Sequence, residues 1–237
     1  MNKTTLLSLA TMTAIVSGVQ AEDSKWNSSF DLGFTFTNGN SEATLLTLGV
    51  ATSKREANDE YFGALSYTYG DSAIETTTNE LLGSAAWNHL ISERSYAGLR
   101  FDLRVDELAD IDYRAGLTAL AGHYFVKNDS TYFALETGIG YTVDQVGGIS
   151  DSYANLYLGD RFEHKFNDKT RVYQTLSIIA PIDDIEDHSI VAEVGLETTL
   201  SDKLALKIYV QDKYEAEPAA GLDQNDVKVV TGVSYKF

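Results

Sequence analysis

The sequence predicts an all-β protein, a transmembrane antiparallel β-barrel of about twelve strands with both termini on the periplasmic side. Three observations predict this fold: a secretory leader at the start, an alternating aromatic segment at the end, and alternating segments of strand length between them. The composition agrees, with 14 Tyr, 10 Phe, 18 Gly and only 2 Pro. The mean hydropathy of -0.18 is compatible with a membrane location, because only alternate residues of a barrel strand meet lipid.

The first residues have the layout of a secretory signal peptide. Lys3 precedes an apolar stretch over 6–16, and residues 19–21 (VQA) form a small-residue cleavage site. We therefore expect residues 1–21 to be the signal peptide and residues 22–237 to form the outer-membrane barrel. The apolar stretch is too short to span a bilayer as a helix. Because the chain has 0 Cys, a lipid-anchored lipoprotein and a disulfide framework are both excluded.

The last eleven residues alternate as a lipid-facing strand does. Tyr235 and Phe237 end an apolar face, whereas Lys228 and Lys236 lie on the opposite face. A final strand of this kind pairs with the first strand and leaves no open edge in the membrane. The ending resembles the C-terminal signature of outer-membrane barrels. We therefore expect Tyr235 and Phe237 to be the insertion signal recognised by the outer-membrane insertion machinery.

Twelve alternating segments predict the strands, each at least as long as the roughly 9–11 residues that a tilted membrane strand needs. Two segments break the alternation, because Asp160 shares parity with Leu158, and Gln174 with Leu176. We expect a β-bulge near Gly159 that resets the phase. The predicted strands span 26–37, 43–53, 60–69, 79–89, 95–105, 112–126, 131–143, 152–166, 170–180, 188–200, 203–213 and 227–237.

The connections between these segments alternate in length and in charge. The longer set contains 18 Asp and Glu and no Lys or Arg, and the net charge of the whole chain is -17. Short turns on one side and long loops on the other are typical of outer-membrane barrels, so we expect the acidic loops outside the cell. The short connections are 54–59, 91–93, 127–129, 167–169 and 201–203; the longer ones are 38–43, 70–80, 106–112, 144–151, 181–188 and 214–226.

Ionisable residues on the inward phase of the strands are the candidate lumen residues. Arg100, Arg104 and Arg114 lie on neighbouring strands, with Asp102 between the first two. One interpretation is a selectivity filter for small anions or acidic saccharides; the other is an internal salt-bridge network that fills the barrel. In the second interpretation the counterions are Glu136, Glu193 and Glu197. The remaining inward-phase ionisable residues are Asp31, Lys207, Lys213, Lys228 and Lys236.

Catalytic and metal sites find little support in the sequence. None of the four histidines has a convincing serine partner together with a carboxylate that could orient it. The acidic run 183–187 could hold divalent cations loosely, although a solvated acidic loop is the simpler interpretation. A pI of about 4.5 disfavours binding to nucleic acid. We therefore expect no enzyme, no cofactor and no metal site. The histidines are His89, His123, His164 and His188.

The first predicted hairpin contains residues 36–42 (FTNGNSE). This segment resembles the Thr-x-Gly-Asn-Ser/Thr signature at the first loop of the DUF481 family, which includes YdiY-like, salt-induced outer-membrane proteins. The signal peptide, the length and the terminal Tyr-x-Phe also match that family's layout. The resemblance implies an outer-membrane barrel and suggests a salt-responsive role, but it supplies no substrate and no catalytic residue.

Three functions from different classes remain open on the sequence. The first is a narrow channel, or a barrel related to salt or envelope stress. The second is a structural or surface-interaction barrel with a salt-bridged, plugged lumen, whose acidic loops bind divalent cations or lipopolysaccharide. The third, less favoured, is a lipid-acting outer-membrane enzyme. We expect the bacterial outer membrane as the location and the lipid bilayer as the principal partner. A soluble periplasmic β-sandwich is the structural alternative.

Overall fold

The structure of the chain is a computed structural model. It describes residues 25–37, 43–72, 76–218 and 223–237. The signal peptide predicted over 1–21 and residues 38–42 of the first-loop motif lie outside the described residues, so neither prediction is tested. In the part of the chain that is described, no helix is long and apolar enough to cross a membrane.

Twelve antiparallel strands close into a barrel. Each strand pairs with the next along the chain, and β1 pairs with β12 to complete the ring. The predicted fold is therefore confirmed, and every predicted span overlaps one strand. The strands are β1 (Asn27–Thr37), β2 (Ala43–Glu56), β3 (Asp59–Ser72), β4 (Thr76–Leu90), β5 (Ser95–Asp106), β6 (Ile111–Lys127), β7 (Thr131–Val146), β8 (Ile149–Lys165), β9 (Thr170–Pro181), β10 (Ser189–Thr199), β11 (Leu204–Glu215) and β12 (Asn225–Lys236).

The barrel has an apolar outside and a polar inside. Outward side chains such as Ile139 and Leu158 are 62% and 51% exposed, whereas the inward side chains Arg114 and Glu163 belong to residues that are 0% and 1% exposed. Successive side chains of a strand alternate between its two faces, so one face of every strand meets the surroundings and the other meets the lumen. An apolar exterior around a charged interior is the arrangement of a membrane barrel.

The seam between β1 and β12 lies beside the chain terminus. The two strands pair from Ser29 opposite Lys236 to Phe34 opposite Thr231. The backbone N–H of Phe237 donates to the carbonyl of Ser28 at 3.1 Å. The ring of Tyr235, on the outer surface, stacks with that of Phe237 at a centroid distance of 6.4 Å. The two residues of the predicted insertion signal are thus adjacent at the seam, and their recognition by the insertion machinery stays a prediction.

The expected bulge near Gly159 is wrong. β8 pairs in unbroken register with β7 and with β9 through this residue. Asp160 and Gln174 therefore remain on the outward face with Leu158. The Gln174 Nε2 donates to the Asp160 Oδ1 at 2.8 Å, so the two polar groups are partners of each other and no phase reset is needed. Register shifts occur instead at Gly70/Asp71, Arg104/Asp106, Ile111/Tyr113 and Tyr124/Val126.

The long loop predicted over 144–151 is also wrong, because β7 and β8 continue to a tight turn at Gly147-Gly148. Both glycines have positive φ, 58° and 73°, as a type I′ hairpin requires. The longest connections that remain at this end of the barrel are 182–188 and 216–224. We call this end the loop end, and the opposite end, where β1 begins and β12 ends, the terminal end. Several acids expected in loops lie in strands instead: Glu80, Asp106, Asp144 and Glu215.

Candidate functional site: a lumen crossed by ion pairs

A group of charged residues near the loop end joins opposite walls of the barrel. Glu80 on β4 is its centre: Arg104 Nε on β5 lies 3.1 Å from Glu80 Oε1, and Lys213 Nζ on β11 contacts the same oxygen. Lys228 Nζ on β12 lies 3.8 Å from Glu80 Oε2. Because β4 and β11 are not neighbours in the barrel, the Glu80–Lys213 pair crosses the lumen.

Two more carboxylates complete this group. Arg104 Nη2 lies 2.6 Å from Asp106 Oδ2, and Arg104 Nη1 lies 3.3 Å from Glu215 Oε1 on β11. β5 and β11 lie on opposite walls, so this guanidinium also spans the lumen. We call the group the mouth cluster; its three cations face three carboxylates. Its members are Glu80, Arg104, Asp106, Lys213, Glu215 and Lys228.

A cavity of about 230 Å³ lies on the loop side of the mouth cluster. Its walls include Thr78, Leu108, Asp223 and Asp226, and the mouth cluster contributes most of its charged lining. The connection 216–224 contributes Pro218, Asp223 and Gln224 to the same cavity. A solute that enters from the loop end therefore meets acidic walls first and then the ion pairs that cross the lumen.

Arg114 and Asp144 form an ion pair along the wall of the barrel. They lie opposite each other on β6 and β7, and Arg114 Nε donates to Asp144 Oδ2 at 2.8 Å. Both side chains are buried. Since the two strands are neighbours, this pair does not cross the lumen, and it offers a natural comparison for the pairs that do.

The connection 182–188 places Asp187 in a buried position above this wall. Burial, followed by the negative charges of Glu217, Asp184 and Glu215, raises the pKa of Asp187 to about 7. Because this pKa lies near neutral pH, the Asp187 carboxyl is partly protonated there, and this reduces the repulsion among the carboxylates of the acidic rim, which the connections 182–188 and 216–224 form. Within the described residues, no group of three or more His, Asp or Glu side chains is arranged to hold a metal ion.

A second group lies in the middle of the barrel. Arg161 Nη2 lies 2.9 Å from Glu136 Oε1, and it donates to the hydroxyl oxygen of Tyr96 at 2.7 Å. Tyr96 and Tyr157 donate their hydroxyl hydrogens to the two Glu136 oxygens at 2.6 and 3.1 Å. The Arg161 guanidinium also lies 5.3 Å from the ring centroid of Phe62, on the far wall of the barrel. We call these five residues the central cluster.

A third group of charged residues lies at the terminal end. Arg171 contacts Glu163, and its Nη2 donates to Glu197 Oε2 at 2.7 Å. Lys236 Nζ donates to the other Glu197 oxygen at 2.8 Å. On the opposite wall, Glu60 accepts a hydrogen bond of 2.7 Å from the Tyr124 hydroxyl. Charged residues thus line the lumen at three levels.

The arginines of the predicted basic stripe each face a carboxylate. Arg100 donates through Nε and Nη2 to the two oxygens of Asp102, at 2.8 and 2.9 Å, within β5. Arg104 belongs to the mouth cluster, and Arg114 pairs with Asp144. The three guanidinium groups lie on neighbouring strands as expected, but each one has its own counterion.

The expected counterions contact other residues. Glu136 pairs with Arg161, and Glu197 pairs with Arg171 and Lys236. Glu193 accepts hydrogen bonds from neutral groups, the Tyr173 hydroxyl and the Gln211 amide, both at 2.9 Å. Asp31 lies on the inward face of β1, opposite Gly49 and Ser234 on its neighbouring strands.

Sequence reasoning missed several of the most buried charged residues. The bulge expected near Gly159 hides Arg161, since a phase reset there would turn its side chain outward. The predicted connection 70–80 includes Glu80, which therefore reads as a loop residue. An uninterrupted alternation of faces through β8 places the Arg161 side chain on the inward face. The missed residues of the lumen include Glu60, Glu80, Asp106, Asp144, Arg161, Glu163, Arg171 and Glu215.

Tyrosine rings cover glycines on the adjacent strand inside the barrel. Tyr96 lies opposite Gly122, and Tyr173 lies opposite Gly195. A Cβ added at either glycine would overlap the ring of its tyrosine. The glycines therefore let the rings lie flat along the wall, with the Tyr173 hydroxyl directed at Glu193.

Gly195→Ala is expected to lower the free energy of unfolding by about 1–3 kcal/mol, because the added methyl displaces the buried Tyr173 ring. Urea titration in detergent micelles, followed by tryptophan fluorescence, measures the change. Gly83→Ala is the matched control, since its Cβ would meet Leu65 and Leu103 at ordinary contact distances of 3.4 and 3.7 Å. Equal effects of the two substitutions would contradict this role of the glycine.

Three histidines follow one structural pattern at the terminal end. Each lies late in an even-numbered strand and hydrogen-bonds, through Nδ1, to the first residue of the preceding strand. The partners are Asp59 for His89, Ser95 for His123 and Thr131 for His164, at 3.0, 2.9 and 2.8 Å. His188, at the loop end, donates from Nδ1 to the Glu186 carbonyl at 2.9 Å. A serine hydroxyl beside a histidine, as Ser95 is beside His123, is one element of a catalytic triad. Asp59 and Thr131 occupy the same position beside His89 and His164, and this repetition with different residues favours a structural role.

Solved structures of outer-membrane proteins have a similar fold. The NanC porin matches with a TM-score of 0.56 at 11% identity, covering 90% of this chain and 100% of that chain. An outer-membrane channel from Pseudomonas putida F1 matches with a TM-score of 0.53 at 11% identity, covering 90% and 94%. The translocator domain of the autotransporter NalP from Neisseria meningitidis matches with a TM-score of 0.50 at 14% identity, covering 90% and 87%.

The sequence itself is matched by one family profile. A comparison with curated proteins found no significant match. The profile of DUF481, described as a protein of unknown function, matches residues 30–237, which span all twelve strands except the first three residues of β1. This chain, a closed barrel of the kind found in outer-membrane porins and channels, therefore belongs to the DUF481 family.

Proposed function

We propose that the protein is a narrow outer-membrane channel for small ions that the mouth cluster holds closed. The observation that supports this proposal most directly is the Glu80–Lys213 pair, which joins opposite walls of the lumen. Ion selectivity and gating in pores depend on charged side chains that line a constriction.

The proposed orientation places the loop end outside the cell. The connections 182–188 and 216–224 are acidic and lie at this end, whereas β1 begins and β12 ends at the other. The apolar outer face would contact the bilayer, and the acidic rim would contact lipopolysaccharide through divalent cations. Tyr235 and Phe237 would be read by the insertion machinery at the periplasmic end.

The acidic rim supports a role in salt response. Like charges at an exposed rim repel one another, and this repulsion weakens as ionic strength rises because the screening length shortens to about 3 Å at 1 M. The mouth cluster is buried, so salt would affect it much less than it affects the rim. A salt-dependent change in the connections above the cavity would therefore precede opening of the cluster.

A paired substitution tests the closed-channel proposal. Glu80→Ala with Lys213→Ala removes one cation and one carboxylate, so the net charge of the lumen is kept while the Glu80–Lys213 bridge is lost and the Arg104–Glu215 contact remains. We expect single-channel conductance in planar bilayers to rise at least about threefold over that of the unchanged protein, because the constriction widens. Retention of heat-modifiable migration shows that the barrel remains folded.

The wall pair supplies the matched control. Arg114→Ala with Asp144→Ala also removes one charge of each sign from the loop end, but it breaks no contact across the lumen. We expect conductance to stay near that of the unchanged protein. If the Glu80/Lys213 variant is folded and conducts no more than the control, the mouth cluster does not gate a channel, and a structural barrel becomes the better interpretation.

A further inference from the structure

Two polar residues lie together on the outward apolar face of the barrel. Asp160 is on β8, opposite Leu135 and Leu176 of its neighbouring strands, and Gln174 is on β9, next to Val194 on β10. The surrounding outward side chains are apolar; Leu135, Leu158 and Val194 are exposed, and Leu176 is half-buried. A role for this face rests on the proposed outer-membrane location and does not depend on whether the lumen conducts.

The pair lies at a depth occupied by hydrocarbon. On β8, His164 and Phe166 mark the terminal end, with their rings 5.1 Å apart. Asp160 precedes His164 by four residues, which in a strand tilted by about 40° corresponds to roughly 10 Å along the membrane normal. Leu158 and Leu156 continue the strand beyond it. The pair is therefore inside the apolar band and away from the headgroups.

The groups of this pair have unused hydrogen-bonding capacity. Asp160 receives one hydrogen bond from Gln174 at 2.8 Å, and the backbone N–H of Leu176 adds an interaction with the same carboxyl group. Within the described residues, no other hydrogen bond reaches the Gln174 amide, which has a second N–H and a carbonyl oxygen. Acyl chains offer neither donors nor acceptors, and polar groups at this depth are rare unless protein contacts them.

We propose that this face is the centre of a homodimer interface, in which the Asp160–Gln174 pair meets the same pair of a second copy. A two-fold interface requires a surface that complements itself. An amide that donates and accepts, next to a carboxyl group that accepts, meets this requirement. The free N–H of each Gln174 can donate to the Asp160 of the other copy, so that both free N–H groups find acceptors and both carboxyl groups gain a second side-chain donor.

Cysteine crosslinking tests the interface, because the chain contains 0 Cys and any introduced thiol is unique. Leu158→Cys places a thiol beside the pair, and we expect most of the protein in outer membranes to form disulfide-linked dimers on oxidation. Leu65→Cys is the matched control: Leu65 is also outward and exposed, but it lies on β3, on the opposite wall. Equal crosslinking at both positions, or a product of a mass other than twice the chain, would overturn the proposal.

A second set of variants tests whether the polar pair, and not apolar contact alone, holds the two copies together. Asp160→Leu with Gln174→Leu, in the Leu158→Cys background, is expected to lower the crosslinked fraction about tenfold, whereas Asp160→Asn is expected to keep it. Both variants should retain heat-modifiable migration, because neither changes the lumen. An undiminished dimer in the double-leucine variant refutes the role of the pair. Conductance of the monomer is a separate measurement, so failure here leaves the channel proposal intact.

Discussion

Arg161→Met is expected to lower the free energy of unfolding by about 3–5 kcal/mol, the largest effect of any single lumen substitution. The change leaves Glu136 buried in the middle of the barrel without its cation, and it removes the contacts of the guanidinium with Tyr96 and Phe62. Urea titration of the protein in detergent micelles measures the loss. Because the strand ladder is unchanged, we expect the barrel to remain folded in the absence of denaturant.

A double substitution shows whether the cost comes from the unpaired carboxylate. Arg161→Met with Glu136→Leu removes both charges, and we expect it to recover at least half of the stability lost in Arg161→Met. The pair Lys236 and Glu197, which is more exposed, offers a comparison in which Lys236→Met costs no more than about 1 kcal/mol. A double variant as unstable as Arg161→Met would mean that packing around the guanidinium, and not charge pairing, stabilises the middle of the barrel.

Glu80→Gln is expected to open the mouth and to make the channel prefer anions. The substitution leaves Arg104, Lys213 and Lys228 without their shared carboxylate, so the mouth cluster gains one net positive charge and its cations repel one another. Conductance should rise, and the reversal potential in a salt gradient should shift to the sign of anion selectivity. We also expect a loss of about 3 kcal/mol in stability, because the buried Lys213 loses its contact.

Asp144→Asn is the matched control for Glu80→Gln. It removes one carboxylate from the same end of the lumen and leaves Arg114 uncompensated, but it breaks only a wall pair. The expected result is a loss of stability with little change in conductance or selectivity. If the two variants shift the reversal potential equally, the total charge of the lumen sets selectivity, and the bridge across the mouth has no special part in it.

Period-two alternation was sufficient to predict the twelve strands, since each strand has one face outside and one inside the barrel. It also placed Arg100, Arg104 and Arg114 on the inward face. It failed at Asp160 and Gln174, where two polar residues that hydrogen-bond each other were read as an interruption of the strand. The alternation along one segment does not show which residue of the neighbouring strand lies beside it.

The partners of the lumen residues could not be predicted for the same reason. Glu80 and Lys213 lie far apart in the sequence and on strands that never pair, and only closure of the barrel brings them into contact. Loop lengths were overestimated at 144–151, because Gly147-Gly148 allows a two-residue turn where acidic residues suggested a loop. Charge indicated which end of the barrel these residues occupy, but not whether they point outward or inward.

The bridges across the lumen also constrain the order of assembly. Ser29 pairs with Lys236 at the seam, so the ring can close only after nearly the whole chain has been positioned. Until then the two walls that share Glu80 and Lys213 stand apart, and their charges need water or another protein beside them. The Glu80–Lys213 ion pair therefore forms only when the last strand pairs with the first, and from then on it ties the two walls of the closed ring together.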